Sequence, residues 1–352
     1  MGEKYFFFLY LLPLPFTLSP SPMPNALCPL PNSQFPITYY LLPMTKPYSE
    51  DIIDKIAQLE AICGQDVGRG IIPLVQAAKG GLLEGARSLA EHSSPHVAII
   101  TGFFMPYGNP PAAETDGPIG CAQLAAGLHR VGIPVIIVTY SMCFHAVKIA
   151  VFAAGVPANV PFDIVPVADN SIDAIASILN LWESLEIPVS HIISIERAGP
   201  SDDGIIRNMK GQDITAHTAF LHLLFNYQKI ISLGIGDGGN EIGMGNIPRE
   251  VIKENIRYKE RIGCITSCNY LIVCGVYNWG ATALLAAIYL LRPEWKAGII
   301  EGLNPDVEFH ILETIVNAGL AVDGITGVQS LTVDNLFWDF HAQVLEMMIE
   351  II

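Results

Sequence analysis

Positive charge is what this sequence has least of. Lys and Arg number 19 in 352 residues, against 34 Asp and Glu, for a net charge of −15. A nucleic-acid surface needs clustered Lys and Arg to displace counterions from phosphates, so that class of partner is excluded. An anionic membrane surface is excluded on the same ground. Charge of either sign is thin at 15% of residues, below the ~25% of ordinary soluble domains, while 51% are apolar. That composition supplies a large core and rules out a disordered chain. Uninterrupted apolar runs of about 18 residues are also missing, so no membrane-spanning helix is expected. The seven cysteines, from Cys28 to Cys274, include no CxxC pair. An odd, scattered set reads as buried, reduced thiols of an intracellular protein and not as a disulfide frame or zinc site. His217 and His222 are five apart, not the four that would put two ligands on one helix face.

Residues 1–43 carry only two formal charges, Glu3 and Lys4, and no arginine occurs before Arg69. Tyr5–Leu12 is a short apolar run, below the ~20 residues a bilayer needs. Prolines follow it and stop helix and strand ladders alike, and Pro13 and Pro15 break up a signal-peptide core. The expectation is a non-globular N-terminal extension over 1–43, one folded domain over 44–352, and a cytoplasmic location, with an organellar or exported form through residues 1–43 as the alternative.

From residue 44 the pattern turns regular. Ser49 is placed to cap a helix whose apolar positions are Ile52, Ile53, Ile56 and Leu59, and a second helix is expected after Pro73. Short apolar, β-branched runs then recur at His96–Ile100, Pro134–Thr139, Phe162–Val165, His191–Ile195, Lys229–Leu233 and Tyr270–Val273. Helical patterns alternate with them over Ile119–Val131, Ala146–Ala154, Ile172–Leu185, Thr215–Tyr227 and Ala281–Leu291. This alternation predicts an α/β fold: a mostly parallel, twisted sheet with helices on both faces, Rossmann-like and three-layered. Its site is expected at the carboxyl ends of the strands.

Carboxylates gather at those ends. Thr101-Gly102-Phe103 and then Glu114-Thr115-Asp116-Gly117-Pro118 follow the first run; Glu196-Arg197 follows the fourth. The fifth leads into Gly234-Ile235-Gly236-Asp237-Gly238-Gly239-Asn240-Glu241-Ile242-Gly243-Met244-Gly245. Gly234, Gly236 and Gly239 fit the GxGxxG dinucleotide pattern, but Asp237 and Glu241 would face the pyrophosphate and no helix opens until Pro248. Glycines that let the backbone approach a ligand, with acidic and amide side chains between them, suit a hard cation such as Mg²⁺ or Mn²⁺. Glu114 or Asp116 could instead only cap the next helix, and Glu196 could only pair with Arg197.

The glycine block at 234–245 resembles that of the C-terminal domain of the D-glutamate cyclase family. Gly68-Arg69-Gly70, Thr101-Gly102-Phe103, Glu114–Pro118, Glu196-Arg197, Gly204–Gly211 and Asn278-Trp279-Gly280 are similar to its other blocks, in order. The resemblance covers residues 44–352 and lacks the N-terminal domain of the larger cyclases. It implies a divalent-metal lyase that dehydrates D-glutamate to 5-oxo-D-proline. A carboxylate is a poor electrophile and calls for a cation; the attacking amine calls for a general base; the α-carboxylate calls for a clamp. Chemistry and resemblance together nominate Asp116, Asp237 and Glu241 as metal ligands, with Glu196 and Asp116 catalytic. Arg69, Thr101, Gly102, Arg197 and Asn240 are nominated for substrate binding. The partner expected is a small anion such as D-glutamate, with a homo-oligomer compatible. A Mn²⁺- or Mg²⁺-dependent phosphohydrolase would use the same parts, a non-catalytic metabolite-binding domain would only hold the ligand, and a nicotinamide enzyme would use the loop for pyrophosphate.

Overall fold

Six short apolar runs pair into one sheet; five are buried along nearly their whole length, and the edge run Phe162–Val165 is only partly covered. The computed structural model describes residues 48–168 and 171–352, and the expected extension over 1–43 lies outside them. The strands are β1 (Val97–Ile100), β2 (Val135–Tyr140), β3 (Phe162–Val165), β4 (His191–Ile195), β5 (Ile231–Gly236) and β6 (Tyr270–Val273). Their spatial order is β3-β2-β1-β4-β5-β6, and every pairing is parallel. In register, Ile99 of β1 faces Ile137 of β2 on one side and Ile193 of β4 on the other. The chain winds outward from β1 to β3 and then returns to β4. That reversal opens a crevice at the carboxyl ends of β1 and β4, where doubly wound folds place their ligands. The fold is the Rossmann-like α/β architecture that the alternation predicts.

The core is deepest around the helix Tyr277–Leu291, all of whose residues are buried. Against it lie the helices Glu50–Cys63, Gly81–Ala90 and Pro118–Arg130. The last is buried without a break from Pro118 to Leu128. Its small residues set the approach: a Cβ on Gly127 would stand 2.7 Å from Leu285, and one on Gly120 would stand 3.0 Å from the Cα of Asn278. Each fully buried Leu or Ile in this layer contributes about 1.5–3 kcal/mol. Ser49 caps the first helix through its side chain, as expected. The six cysteines among the described residues are unpaired, and five of them are buried. No helix among the described residues is long and apolar enough to cross a membrane.

One expected helix is not there. Thr215–Tyr227 forms two short 3₁₀ turns, Thr215–His217 and Leu221–Asn226. Between them Thr218 is extended, Ala219 bridges Ala168, and the Ala219 carbonyl accepts from Arg197 at 2.9 Å. Tertiary partners for the backbone outweigh the local helical spacing.

A carboxyl group is sealed into the helical layer. Glu308, on the helix Pro305–Asn317, is fully buried with both oxygens unpartnered. Burial pushes its pKa up to about 8, with Gln123 offsetting part of that. The folded state therefore keeps a proton that the unfolded chain releases above the ordinary value near 4.5. Stability tied to Glu308 falls as pH rises between those two values, by an amount on the order of a few kcal/mol. Glu308→Gln should flatten that part of the profile. Thermal melts from pH 5 to pH 9 should show the variant gaining on the parent as pH rises; parallel curves would show that Glu308 does not titrate with folding.

Candidate metal centre and active site

Each strand of the crevice hands one polar group to the site. Thr101 and Gly102 follow β1, Glu196 follows β4 in the left-handed region (φ 50°), Asp237 follows β5, and Tyr277 opens the helix after β6. A second, small sheet brings in distant chain. Its strand Ala112–Glu114 pairs in parallel with Ala321–Val322, which docks the C-terminal segment beside the crevice. There Thr332–Val333 and Leu336–Phe337 form a hairpin closed by Asp334 and Asn335 alone. Both turn residues have positive φ, 56° and 60°, the signature of a type I′ turn. Asp323 fixes this hairpin by accepting from the Asn335 amide (2.7 Å) and the Thr332 hydroxyl (2.8 Å).

Two helix starts cap each other across the site. Asp116, just before the helix Pro118–Arg130, accepts from the amides of Tyr277 and Asn278 at 3.0 and 3.1 Å. Asn278, in the facing helix, accepts from the amides of Gly117 and Gly120 at 3.2 and 2.7 Å. Both carbonyl-oxygen groups thus satisfy helix N–H donors that would otherwise be buried unpaired.

The result is a concentration of acid. One oxygen each from the buried Asp116, Asp237 and Asp334 lie within 4.8 Å of one another. Arg69 donates to Asp237, to Asp334 (2.6 Å) and to the Gly275 carbonyl (3.1 Å). Asp66 fixes the Arg69 loop by accepting from the amides of Gly68, Arg69 and Gly70. The Tyr277 hydroxyl lies 2.6 Å from Asp237 and 2.5 Å from Glu241. Glu114 and Glu196 also meet. Burial pushes Glu114 up to about 7. Burial, then the charge of Glu114, holds Glu196 well above the carboxylate range. Burial likewise raises Asp116, with Asp334 and Glu114 adding to it, against the opposing pull of the helix amides.

This donor set fits a hard divalent cation. Asp334 Oδ2 is buried without a partner, and among the described residues one guanidinium faces the three aspartates. Carboxylate oxygens without nitrogen or sulfur suit Mg²⁺ or Mn²⁺. The site opens into a cavity of about 510 Å³. Arg69, Glu114, Glu196, Asp237, Tyr277 and Asp334 line its polar side, with Phe103, Met105, Ile256 and Ile325 on the apolar walls.

The nominated residues divide under this geometry. Asp116, Asp237, Glu196 and Arg69 converge, and Asn240 lines the cavity with its Oδ1 unpartnered. The buried hydroxyl of Thr101 is also unpartnered; it stands by Gly117 and Glu196. Glu241 is not one of the three converging acids. Its carboxylate is taken up by the amides of Gly238 and Gly239, both at 2.8 Å, and by Tyr277, so it braces the glycine loop. Asp334 stands in its place. Arg197 is not a substrate clamp here: it is buried, donates to the carbonyls of Gly102 and Ala219, and lies over the Tyr140 ring at 4.5 Å. Gly102 contributes that carbonyl and a positive-φ turn (110°). Sequence reasoning missed Asp334 and Tyr277. The Asp-Asn pair between two apolar dipeptides was the available sign of a tight hairpin.

Residues 59–349 match the family described as "D-glutamate cyclase-like, C-terminal". The chain is 29% identical over 325 residues to the human protein "D-glutamate cyclase, mitochondrial", covering 84% of this chain. The matched region spans 52%, about half, of that relative's own length.

The third acid is open to direct test. Asn suits a positive-φ turn position as well as Asp does, so Asp334→Asn should keep the hairpin and the fold while removing one charge. Calorimetric titration with Mn²⁺ should show affinity weakened by about tenfold or more, given the ~1.5–3 kcal/mol carried by a charged contact. Unchanged affinity would remove Asp334 from the centre.

Proposed function

Because the chain belongs to the D-glutamate cyclase-like C-terminal family, we propose that it is a metal-dependent lyase that closes D-glutamate to 5-oxo-D-proline with loss of water. The observation carrying this reading is the convergence of Asp116, Asp237 and Asp334, the last two lining the same cavity as Glu114 and Glu196. When bound by the three aspartates, Mn²⁺ or Mg²⁺ supplies Lewis-acid polarisation of the γ-carboxyl group. The chain supplies the rest. Glu196 takes a proton from the attacking amine, and Glu114 against it holds the carboxyl in place. The amine nitrogen bonds to the side-chain carboxyl carbon (Cδ), one C–O bond of that carboxyl group breaks, and its oxygen leaves as water carrying two protons given up by the nitrogen, one of them by way of Glu196. Arg69 positions Asp237 and Asp334 for this centre and does not grip the substrate. Phe103, Met105 and Ile256 limit water along the apolar walls. Residues 44–352 act as one catalytic domain in this reading.

An oxygen-only centre would also serve phosphate-ester hydrolysis, and the assay separates the two. Incubated with Mn²⁺ and either enantiomer of glutamate, the protein should yield a product lighter by one water from D-glutamate and release no phosphate from a generic ester. Glu196→Gln, nearly isosteric, should lower the rate by about 10²–10⁴-fold, the usual contribution of a positioned base. Phosphate release without dehydration would favour the hydrolase; ligand binding with neither reaction would make this a binding domain.

A further inference from the structure

A dicarboxylate held at a metal by one end needs a partner for the other. The two guanidiniums nominated from sequence are engaged, Arg69 by Asp237 and Asp334, and Arg197 by backbone carbonyls. Two further cations line the same cavity, Lys210 and Arg257. Both are exposed, and among the side chains described neither has a carboxylate within ion-pair distance.

Neither head group is paired with an acid among the described side chains, the Arg257 guanidinium lying over the Tyr258 ring at 5.0 Å, and the backbone around Lys210 is fixed. Asn208 Oδ1 accepts from the amides of Lys210 and Gln212, both at 3.0 Å, which closes a turn around Lys210. That turn rests on the loop bearing Asp237: a Cβ on Gly238 would stand 2.3 Å from the sulfur of Met209. It also abuts the segment of Arg257, since a Cβ on Gly211 would stand 3.7 Å from the Cβ of Tyr258. The buried Arg207 joins the two segments by donating to the Arg261 carbonyl (2.9 Å) and to Asp203 (2.6 Å).

We infer that Lys210 and Arg257 form an anion subsite at the cavity rim, which selects small acyclic dianions with one charged end at a cation held by the three aspartates and the other at the rim. The apolar stretch between the ends lies along Phe103, Met105, Ile256 and Ile325. Naming D-glutamate as one such dianion rests on the lyase reading; the subsite itself rests on the cavity. Monoanions of the same length lose the rim contact and bind less well.

The test uses the full chain with Mn²⁺ and two unreactive probes, glutarate and butyrate. Calorimetry should show glutarate preferred over butyrate. Lys210→Gln and Arg257→Gln should each weaken glutarate by about tenfold, in line with loss of a charge-assisted hydrogen bond. Butyrate binding, Mn²⁺ affinity and melting temperature should hold, and Lys210→Glu should weaken glutarate further. Equal glutarate affinity in the double variant, or no preference in the parent, overturns the subsite. Formation of 5-oxoproline is read in the same preparations. A parent that binds glutarate through the rim but makes no 5-oxoproline overturns the lyase reading alone; one that makes it with an unchanged KM in the double variant overturns the subsite alone.

Discussion

Asp116 and Asn278 exchange caps, and the site hangs on that exchange. Each side chain satisfies the helix on which the other is mounted, so the helices Pro118–Arg130 and Tyr277–Leu291 fix each other's starting points. Both helices are almost wholly buried, and unsatisfied amides there would cost about 1–3 kcal/mol each. The same bonds aim Asp116 and Tyr277 into the crevice. Stability and placement of chemistry therefore share one set of hydrogen bonds. Removing either cap loosens the fold and the site together.

Around that frame the protein accumulates like charge that water cannot screen. Six carboxyl groups, from Glu114, Asp116, Glu196, Asp237, Glu241 and Asp334, are buried at one edge of the sheet. Three devices make this tolerable. Burial raises Glu114 and Glu196, which lessens the charge they carry; amides satisfy Glu241 and Asp116; and Arg69 reaches Asp237 and Asp334. The unpartnered oxygen of Asp334 leaves room in that balance for the cation proposed above.

The sheet was legible because parallel strands buried on both faces must be apolar and β-branched along their whole length. Runs such as His191–Ile195 leave little room for another reading, and the ends of those runs point to the crevice. Thr215–Tyr227 misleads because its helical spacing is genuine while its backbone groups are claimed by Arg197 and Ala168. The glycine block announces an oxygen-rich loop, but which of its acids turns inward is decided by amides three-dimensionally close: Gly238 and Gly239 take Glu241 and leave Asp237 free to face Arg69. Arg197 illustrates the same limit. A guanidinium beside an acidic residue looks like a clamp until the carbonyls of Gly102 and Ala219 are seen to occupy it.

The hairpin that carries Asp334 has a consequence in time as well as in space. Asp334 lies downstream of all six strands of the parallel sheet, and contacts between chain segments so far apart in sequence form late and slowly. During synthesis from the N-terminus, a growing chain can bury its sheet and present Asp116 and Asp237 while the third acid is still unmade. The three-aspartate cluster exists only after the turn at Asp334-Asn335 has docked against Asp323. An ion that needs all three acids would thus discriminate finished molecules from nascent ones, and premature chelation by a half-built chain would be disfavoured by the order of the sequence itself.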